Sequence, residues 1–138
     1  MGWIGWSLLS AFFAAITAVT AKVGVDRVDA NLATAVRTSV VLVFSWLVAL
    51  LARNPDAQPF TRKSWVFLLI SGLATGLSWV CYFHAMRQGE ASRVAPVDKL
   101  SVALTIVLAA IFLGEPLTWT KAFGGGLIVV GVIILALD

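Results

Sequence analysis

The residues of this chain that could do chemistry are a few charged side chains set inside long apolar stretches. Asp98 and Lys99 are neighbours at the start of one stretch, and Arg37 lies inside another. A charge inside a membrane is costly, so a charged residue there commonly marks a pathway for a substrate or an ion. Asp98 could carry a proton. Lys99 and Arg37 could bind an anion, because the planar guanidinium of arginine suits two-point binding of a carboxylate.

Each of these residues also has a purely structural interpretation. Asp98 could cap the start of a helix, where the helix dipole favours a carboxylate. Arg37 could extend its side chain to the membrane surface, or it could pair with Asp98, since both are expected near the same membrane face. Lys22 is expected to end the first helix on that face and to reach the surface in the same way.

Aromatic side chains gather in the third apolar stretch, at Trp79, Tyr82 and Phe83, with His84 beside them. Trp79 and Phe83 are four residues apart and therefore share a helix face. Such a face could hold a cation or a flat ligand, or it could pack against the next helix. His84 could titrate near physiological pH, although its place near the helix end also fits an ordinary interfacial histidine.

Apolar stretches long enough to cross a membrane must position these residues. Of the 138 residues, 60% are hydrophobic and 12% are charged, whereas soluble domains carry about 25% charged residues. A bilayer core needs roughly 20 helical residues to cross it. The sequence therefore predicts an all-α membrane protein, a bundle of five transmembrane helices, at about residues 3–21, 32–52, 65–86, 97–113 and 119–137.

The composition argues against several other classes of protein. Cys81 is the single cysteine and His84 the single histidine, so neither a disulfide within the chain nor a metal site is expected. The sequence has no phosphate-binding loop and no helical turn with paired carboxylates, so we expect neither an enzyme nor a cofactor. The net charge of +3 is small. It does not indicate nucleic-acid binding and bears instead on membrane orientation.

Lysine and arginine are shared almost evenly between the two predicted sides of the membrane. One side holds Arg53, Arg62, Lys63 and Lys121, and the other holds Lys22, Arg27, Arg87 and Arg93, with Arg37 and Lys99 just inside helices. The bias of these residues sets membrane orientation. An even distribution of lysine and arginine allows the chain to insert in both orientations. Alternatively, one buried basic residue could be enough to favour a single orientation. With five helices, the two termini are expected on opposite sides.

Several motifs resemble the EamA-type domain of the drug/metabolite transporter superfamily. They are Tyr82-Phe83-x-Ala85, Gly89-x-Ala91-Ser92, the run from Ala95 to Ser101 and Gly114-Glu115, with Thr34-x-x-Arg37 in the first half. The resemblance covers the whole chain, residues 1–138, as a single domain. It implies a multi-pass protein of the inner membrane that moves small molecules. The expected partners are therefore membrane lipid and a small-molecule substrate.

Most members of that family carry two such domains in one chain, ten helices arranged as an inverted repeat. A chain with one domain looks like half of such a transporter and would need a partner in the opposite orientation. The stretch Gly124–Val132 is similar to the dimerisation stretch of small multidrug resistance proteins, and small residues let helices approach closely in lipid. The same glycines could instead pack within the chain. The candidates for contact between two copies are Gly124, Leu127, Ile128, Gly131 and Val132.

The sequence therefore predicts a secondary transporter of small metabolites or drug-like molecules that works by alternating access as an antiparallel homodimer. Small multidrug resistance proteins have a glutamate embedded in the membrane, whereas no acidic residue lies at the centre of a predicted helix in this chain. If transport is coupled to protons, Asp98 or His84 would have to carry them. The alternatives are a non-transporting membrane subunit and half of a heteromeric transporter or flippase. The candidate substrate or coupling residues are Arg37, Trp79, Tyr82, His84, Asp98 and Lys99.

Overall fold

Helices make up almost all of the structure. A computed structural model describes residues 2–53 and 57–137, and the regular structure within these ranges is entirely α-helical. With α4 and α5 taken together as Ala91–Phe112, five segments are long and apolar enough to cross a membrane. The prediction of an all-α membrane protein with five transmembrane helices is confirmed. The helices are α1 (Trp3–Val25), α2 (Ala30–Leu51), α3 (Arg62–Gln88), α4 (Ala91–Asp98), α5 (Leu100–Phe112) and α6 (Trp119–Leu137).

Side-chain caps and one glycine set several of the helix ends. Asp29 precedes α2, and its carboxylate accepts hydrogen bonds of 3.0 Å from the backbone N–H groups two and three residues further on. Thr61 precedes α3 and accepts a hydrogen bond of 3.1 Å from the N–H of Ser64. Gly114 follows α5 with a φ of 67°, a left-handed conformation that costs glycine little. The hydrogen bonds to Asp29 and Thr61 satisfy backbone N–H groups that helix starts leave unpaired.

The fourth span begins earlier than the sequence predicts, and it is interrupted. The predicted helix starts at about Val97 with Pro96 in its first turn, whereas α4 begins at Ala91 and Pro96 lies inside it. The prediction was wrong because the charged turn after Glu90 is helical, although its polarity is typical of a loop. The span breaks at Lys99, whose N–H donates to the carbonyl of Pro96 at 2.9 Å. This bond reaches back three residues rather than four and tightens the turn.

Other spans also extend beyond the predicted apolar windows. Helix α1 continues to Val25 rather than ending near residue 21, α2 starts at Ala30 rather than near 32, and α3 covers Arg62–Gln88 rather than about 65–86. Backbone hydrogen bonding does not stop where apolar residues stop. Long basic side chains at helix ends can extend to the membrane surface while their backbone stays helical.

The chain packs into two compact units. The first consists of Met1–Lys22 together with Gln88–Asp138, and the second is Val23–Arg87. The first unit therefore holds most of α1 with α4, α5 and α6, while the second holds α2 and α3. The charged and aromatic candidates of α2 and α3 thus belong to one unit, and Asp98, Lys99 and the glycines of α6 belong to the other.

In the first unit, α4 and α5 pack against α6. Gly125 is buried, and a Cβ atom at that position would lie 3.2 Å from Cδ1 of Ile106 on α5. Val132, two turns further along α6, is also buried at 6% exposure. Lys22, in the last turn of α1, donates a hydrogen bond of 2.9 Å from Nζ to the carbonyl of Gly89. The lysine therefore binds protein backbone just before α4, where the sequence predicts only extension to the surface.

In the second unit, the buried side chains cluster near the start of α2 and the end of α3. Thr34 is the buried polar member, and its hydroxyl donates to the carbonyl of Ala30 at 2.7 Å, so its polar group is satisfied within its own helix. Burial in this unit is therefore restricted to one end of the helix pair. The buried residues there are Val25, Ala30, Thr34, Phe83 and Met86.

Large apolar side chains elsewhere on the helices are mostly exposed. Leu51 is 79% exposed, Phe112 is 77% exposed and Trp119 is 90% exposed. Soluble proteins rarely expose continuous apolar surface of this kind. Because the same surface is the ordinary outer face of a membrane helix, the exposure agrees with five spans in contact with lipid.

We expect Gly125→Leu to destabilise the protein by roughly 1–3 kcal/mol, the usual cost of overpacking. The new side chain would meet Ile106 and force α5 away from α6. Gly126→Leu is the matched control, since nothing lies within 4 Å of a Cβ atom there and the gain in helix propensity is the same. Thermal unfolding of the monomeric fraction in detergent provides the comparison. Equal unfolding temperatures for the two variants would contradict close packing at Gly125.

Candidate functional site

Arg37 and the aromatic rings of α3 come together in the second unit. Arg37 lies seven residues after the first residue of α2, roughly 10 Å along the helix axis. The Cζ atom of its guanidinium lies over Trp79, 4.3 Å from the ring centroid, and 5.7 Å from the ring centroid of Phe83. These distances are within the range of cation–π attraction. The aromatic face that the sequence predicts for a cation or a flat ligand therefore faces a cation supplied by the chain itself.

No acidic residue accompanies Arg37 on either helix of this unit. Helices α2 and α3 contain no aspartate and no glutamate. The carboxylate of Asp29, which precedes α2, is engaged as the cap of that helix. Within residues 2–53 and 57–137, the ion pairs join Arg93 to Glu90, Lys99 to Asp98 and Lys121 to Glu115. The guanidinium of Arg37 thus contacts aromatic rings rather than a carboxylate.

Tyr82 and His84 lie on the same helix as this cluster and make different contacts. Tyr82 is half-buried, and its ring meets that of Phe83 edge to face, with centroids 6.3 Å apart. The Nε2–H of His84 donates to Oδ1 of Asn31 at 3.2 Å. This bond joins the last turns of α3 to the first turn of α2, a place that suits an interfacial histidine. A role for Tyr82 or His84 in substrate binding or coupling stays a prediction.

Asn31 is a contact residue that the sequence analysis missed. A signal for it exists, because Asn31, Thr34 and Thr38 recur at spacings of three and four residues on the helix of Arg37. Such spacing places polar groups along one helix face. Thr38 donates from its hydroxyl to the carbonyl of Thr34 at 2.7 Å. A row of threonines usually indicates packing in which each hydroxyl bonds to the backbone of its own helix. Asn31 differs from these threonines by its contact with His84 on the other helix.

Asp98 and Lys99 form an ion pair at the break between α4 and α5. Their side chains approach to 3.2 Å between Nζ and Oδ2. Asp98 is the last residue of α4, so the alternative interpretation, that it caps the start of the fourth span, was wrong. The reason is that the helix begins before Pro96 rather than after it. The predicted pairing of Asp98 with Arg37 concerns residues of different units and stays a prediction.

The five residues predicted for contact between two copies divide between the inside and the outside of the first unit. Val132 is buried in its own chain, and Gly124 and Gly131 are half-buried. Leu127, at 57% exposure, and Ile128, at 36%, remain on the surface. Part of the glycine stretch therefore serves packing within the chain, which was the alternative interpretation of this sequence.

The amino-acid sequence is similar to those of several known proteins. The chain is 44% identical over 135 residues to "Uncharacterized transporter in cobO 3'region" of a Sinorhizobium species, covering 97% of this chain and 96% of that protein. It is 32% identical over 130 residues to the uncharacterized transporter YvbV of Bacillus subtilis, covering 94% of this chain but 43% of that protein. An uncharacterized protein of Methanocaldococcus jannaschii is 30% identical over 77 residues, 56% of each chain. No solved structure matches the chain.

The family model that matches is that of the EamA-like transporter family, and the match extends over residues 1–137. The resemblance noted in the sequence motifs is therefore confirmed. Members of this family are transporters and not enzymes, as the sequence predicts for this chain. The five-span chain belongs to the EamA-like transporter family.

Proposed function

We propose that the protein is a secondary transporter that moves small metabolites or drug-like molecules across the inner membrane by alternating access, and that it works as an antiparallel homodimer. The observation that carries this proposal is a length relationship. The chain aligns over 94% of its own residues with a transporter of Bacillus subtilis but covers 43% of that protein. A five-span chain thus corresponds to about half of a longer relative, and a second copy would supply the other half.

The odd number of spans determines how two halves must be arranged. Ten-helix relatives with inverted repeats place their two halves in opposite orientations around a site near the middle of the membrane. Two separate five-span chains reproduce that arrangement only if one copy is inverted. The even distribution of lysine and arginine supports insertion in both orientations, because orientation follows their bias.

The outer face of α6 supports a contact between copies. A shallow apolar groove of about 380 Å³ runs along this helix. Small residues in such a groove allow a second backbone to approach closely in lipid. Of the residues predicted for contact between two copies, the proposed contact therefore includes Leu127. It does not include Val132, which is buried within its own chain. The groove is lined by Trp119, Ala122, Phe123, Gly126, Leu127 and Val130.

Topology is the first property to measure for the homodimer. We expect a cytoplasmic reporter and an external reporter, each fused after Asp138, to give comparable signals, because the basic residues favour neither orientation. Signal from one reporter alone would contradict the antiparallel homodimer.

Variants with a forced orientation make that test sharper. Ala57→Lys with Gln58→Lys adds charge to one predicted side, and Gln88→Lys with Ser92→Lys adds it to the other. Each double variant alone should adopt one orientation and lose transport, while the two produced together should recover it. Full transport by one double variant in a single orientation would also exclude an antiparallel pair.

Transport itself is tested by comparing small solutes inside and outside cells that contain or lack the protein. We expect the distribution of at least one solute to depend on the protein. Asp98→Asn and Lys99→Ala should each reduce that effect about tenfold or more, the equivalent of ~1.4 kcal/mol, because each removes one charge of the pair at the break in the fourth span.

Glu90→Gln is the matched control, since it removes the other ion pair of the same span, which joins Glu90 to Arg93 and lies at the start of the span rather than at the break. Because this pair lies away from the break, the variant should transport normally. If no solute depends on the protein, while the wild type and the variants insert normally, the protein is a non-transporting subunit instead.

A further inference from the structure

Arg37 is a membrane-span cation without a counter-charge on its own helix or on the helix it contacts. It is the single charged residue of α2, and the charges of α3 are basic residues near its two ends. Arginine keeps its charge under physiological conditions. Because an uncompensated charge inside a membrane is expensive, a position of this kind favours an anion that is not part of either helix.

The contacts of Arg37 leave its hydrogen-bond donors available. Its guanidinium lies over Trp79 at 4.3 Å and near Phe83 at 5.7 Å, and ring contacts of this kind do not use N–H donors. In the described ranges, none of the hydrogen bonds and none of the ion pairs involves the guanidinium of Arg37. A guanidinium that lies over a ring can still donate in its own plane. Two parallel donors in one plane match the two oxygens of a carboxylate.

The polar groups near Arg37 already make hydrogen bonds of their own. The hydroxyls of Thr34 and Thr38 donate to carbonyl groups of α2. The Nε2–H of His84 donates to Asn31. One arginine neutralises one negative charge, whereas a doubly charged phosphate would keep a net charge in surroundings where charge is costly. The charge balance therefore favours a singly charged, planar anion.

We propose that Arg37, held by the rings of Trp79 and Phe83, binds the carboxylate of the transported molecule, and that the substrates are small monocarboxylates. This inference rests on the proposed transport function and adds the substrate class. Trp79 acts as a positioning residue, because it holds the guanidinium without supplying a donor to the carboxylate.

The solutes whose distribution depends on the wild-type protein are the probes for this inference. We expect these solutes to carry one carboxylate, and we expect the primary amide of each to be neither transported nor able to compete. Arg37→Gln should reduce their transport at least about tenfold. Arg37→Lys keeps the charge without the planar fork and should restore only part of it. Trp79→Phe should retain more transport than Trp79→Leu, because phenylalanine keeps a ring under the cation.

Arg87→Gln is the matched control, since Arg87 is an exposed arginine in the last turn of α3 and its loss should leave transport unchanged.

If solutes depend on the protein but lack a carboxylate, or if Arg37→Gln transports normally, the substrate class is overturned and the transport function stands. If no solute depends on the protein, both fail. If Arg37→Gln and Asp98→Asn each lower the amount of inserted protein and the double variant restores it, Asp98 is the counter-charge and the inference is overturned.

Discussion

The constraint on which this structure depends is the absence of water inside a bilayer, which obliges each backbone N–H and C=O group to find a partner within the protein. The chain meets this requirement by forming helices almost everywhere. Helix ends then need partners of their own. Asp29 and Thr61 accept hydrogen bonds at the starts of α2 and α3, and after α5 the turn at Gly114 is followed by a bond from the N–H of Glu115 to the carbonyl of Ala109. The same constraint makes the break at Lys99 notable, because it interrupts a span that is otherwise continuous from Ala91 to Phe112.

Charge is handled in two different ways along the chain. Several charged groups near the helix ends and at the break have polar partners: Lys22 with a carbonyl, Glu90 with Arg93, Asp98 with Lys99, and Glu115 with Lys121. Arg37 differs, because its partners are aromatic rings. Rings attract a cation without neutralising it. The membrane-spanning helices of the second unit therefore keep a positive charge that an external anion can still compensate.

The glycines of α6 show how one short stretch can serve two surfaces. Gly125 faces α5 so closely that a Cβ atom there would lie 3.2 Å from Ile106, whereas Gly126 has open space beside it. Adjacent residues point about 100° apart on a helix, so Gly125 and Gly126 face different surroundings. A glycine run therefore indicates close approach without indicating which helix approaches. In this chain, one side of the run is occupied by the chain itself and the other borders a groove.

The sequence alone determined the number of spans, the helical class and the family. Each depends on long apolar windows or on local motifs, which the chain carries whatever its packing. The start of α4 was predicted wrongly, because a helix can continue past the membrane surface into residues that are polar. Only the tertiary structure decided that Arg37 rests on Trp79, that Asp98 pairs with Lys99, and that Val132 is buried. These contacts depend on the rotation of each helix about its axis. In a helix that is apolar on most of its faces, the sequence pattern does not fix that rotation.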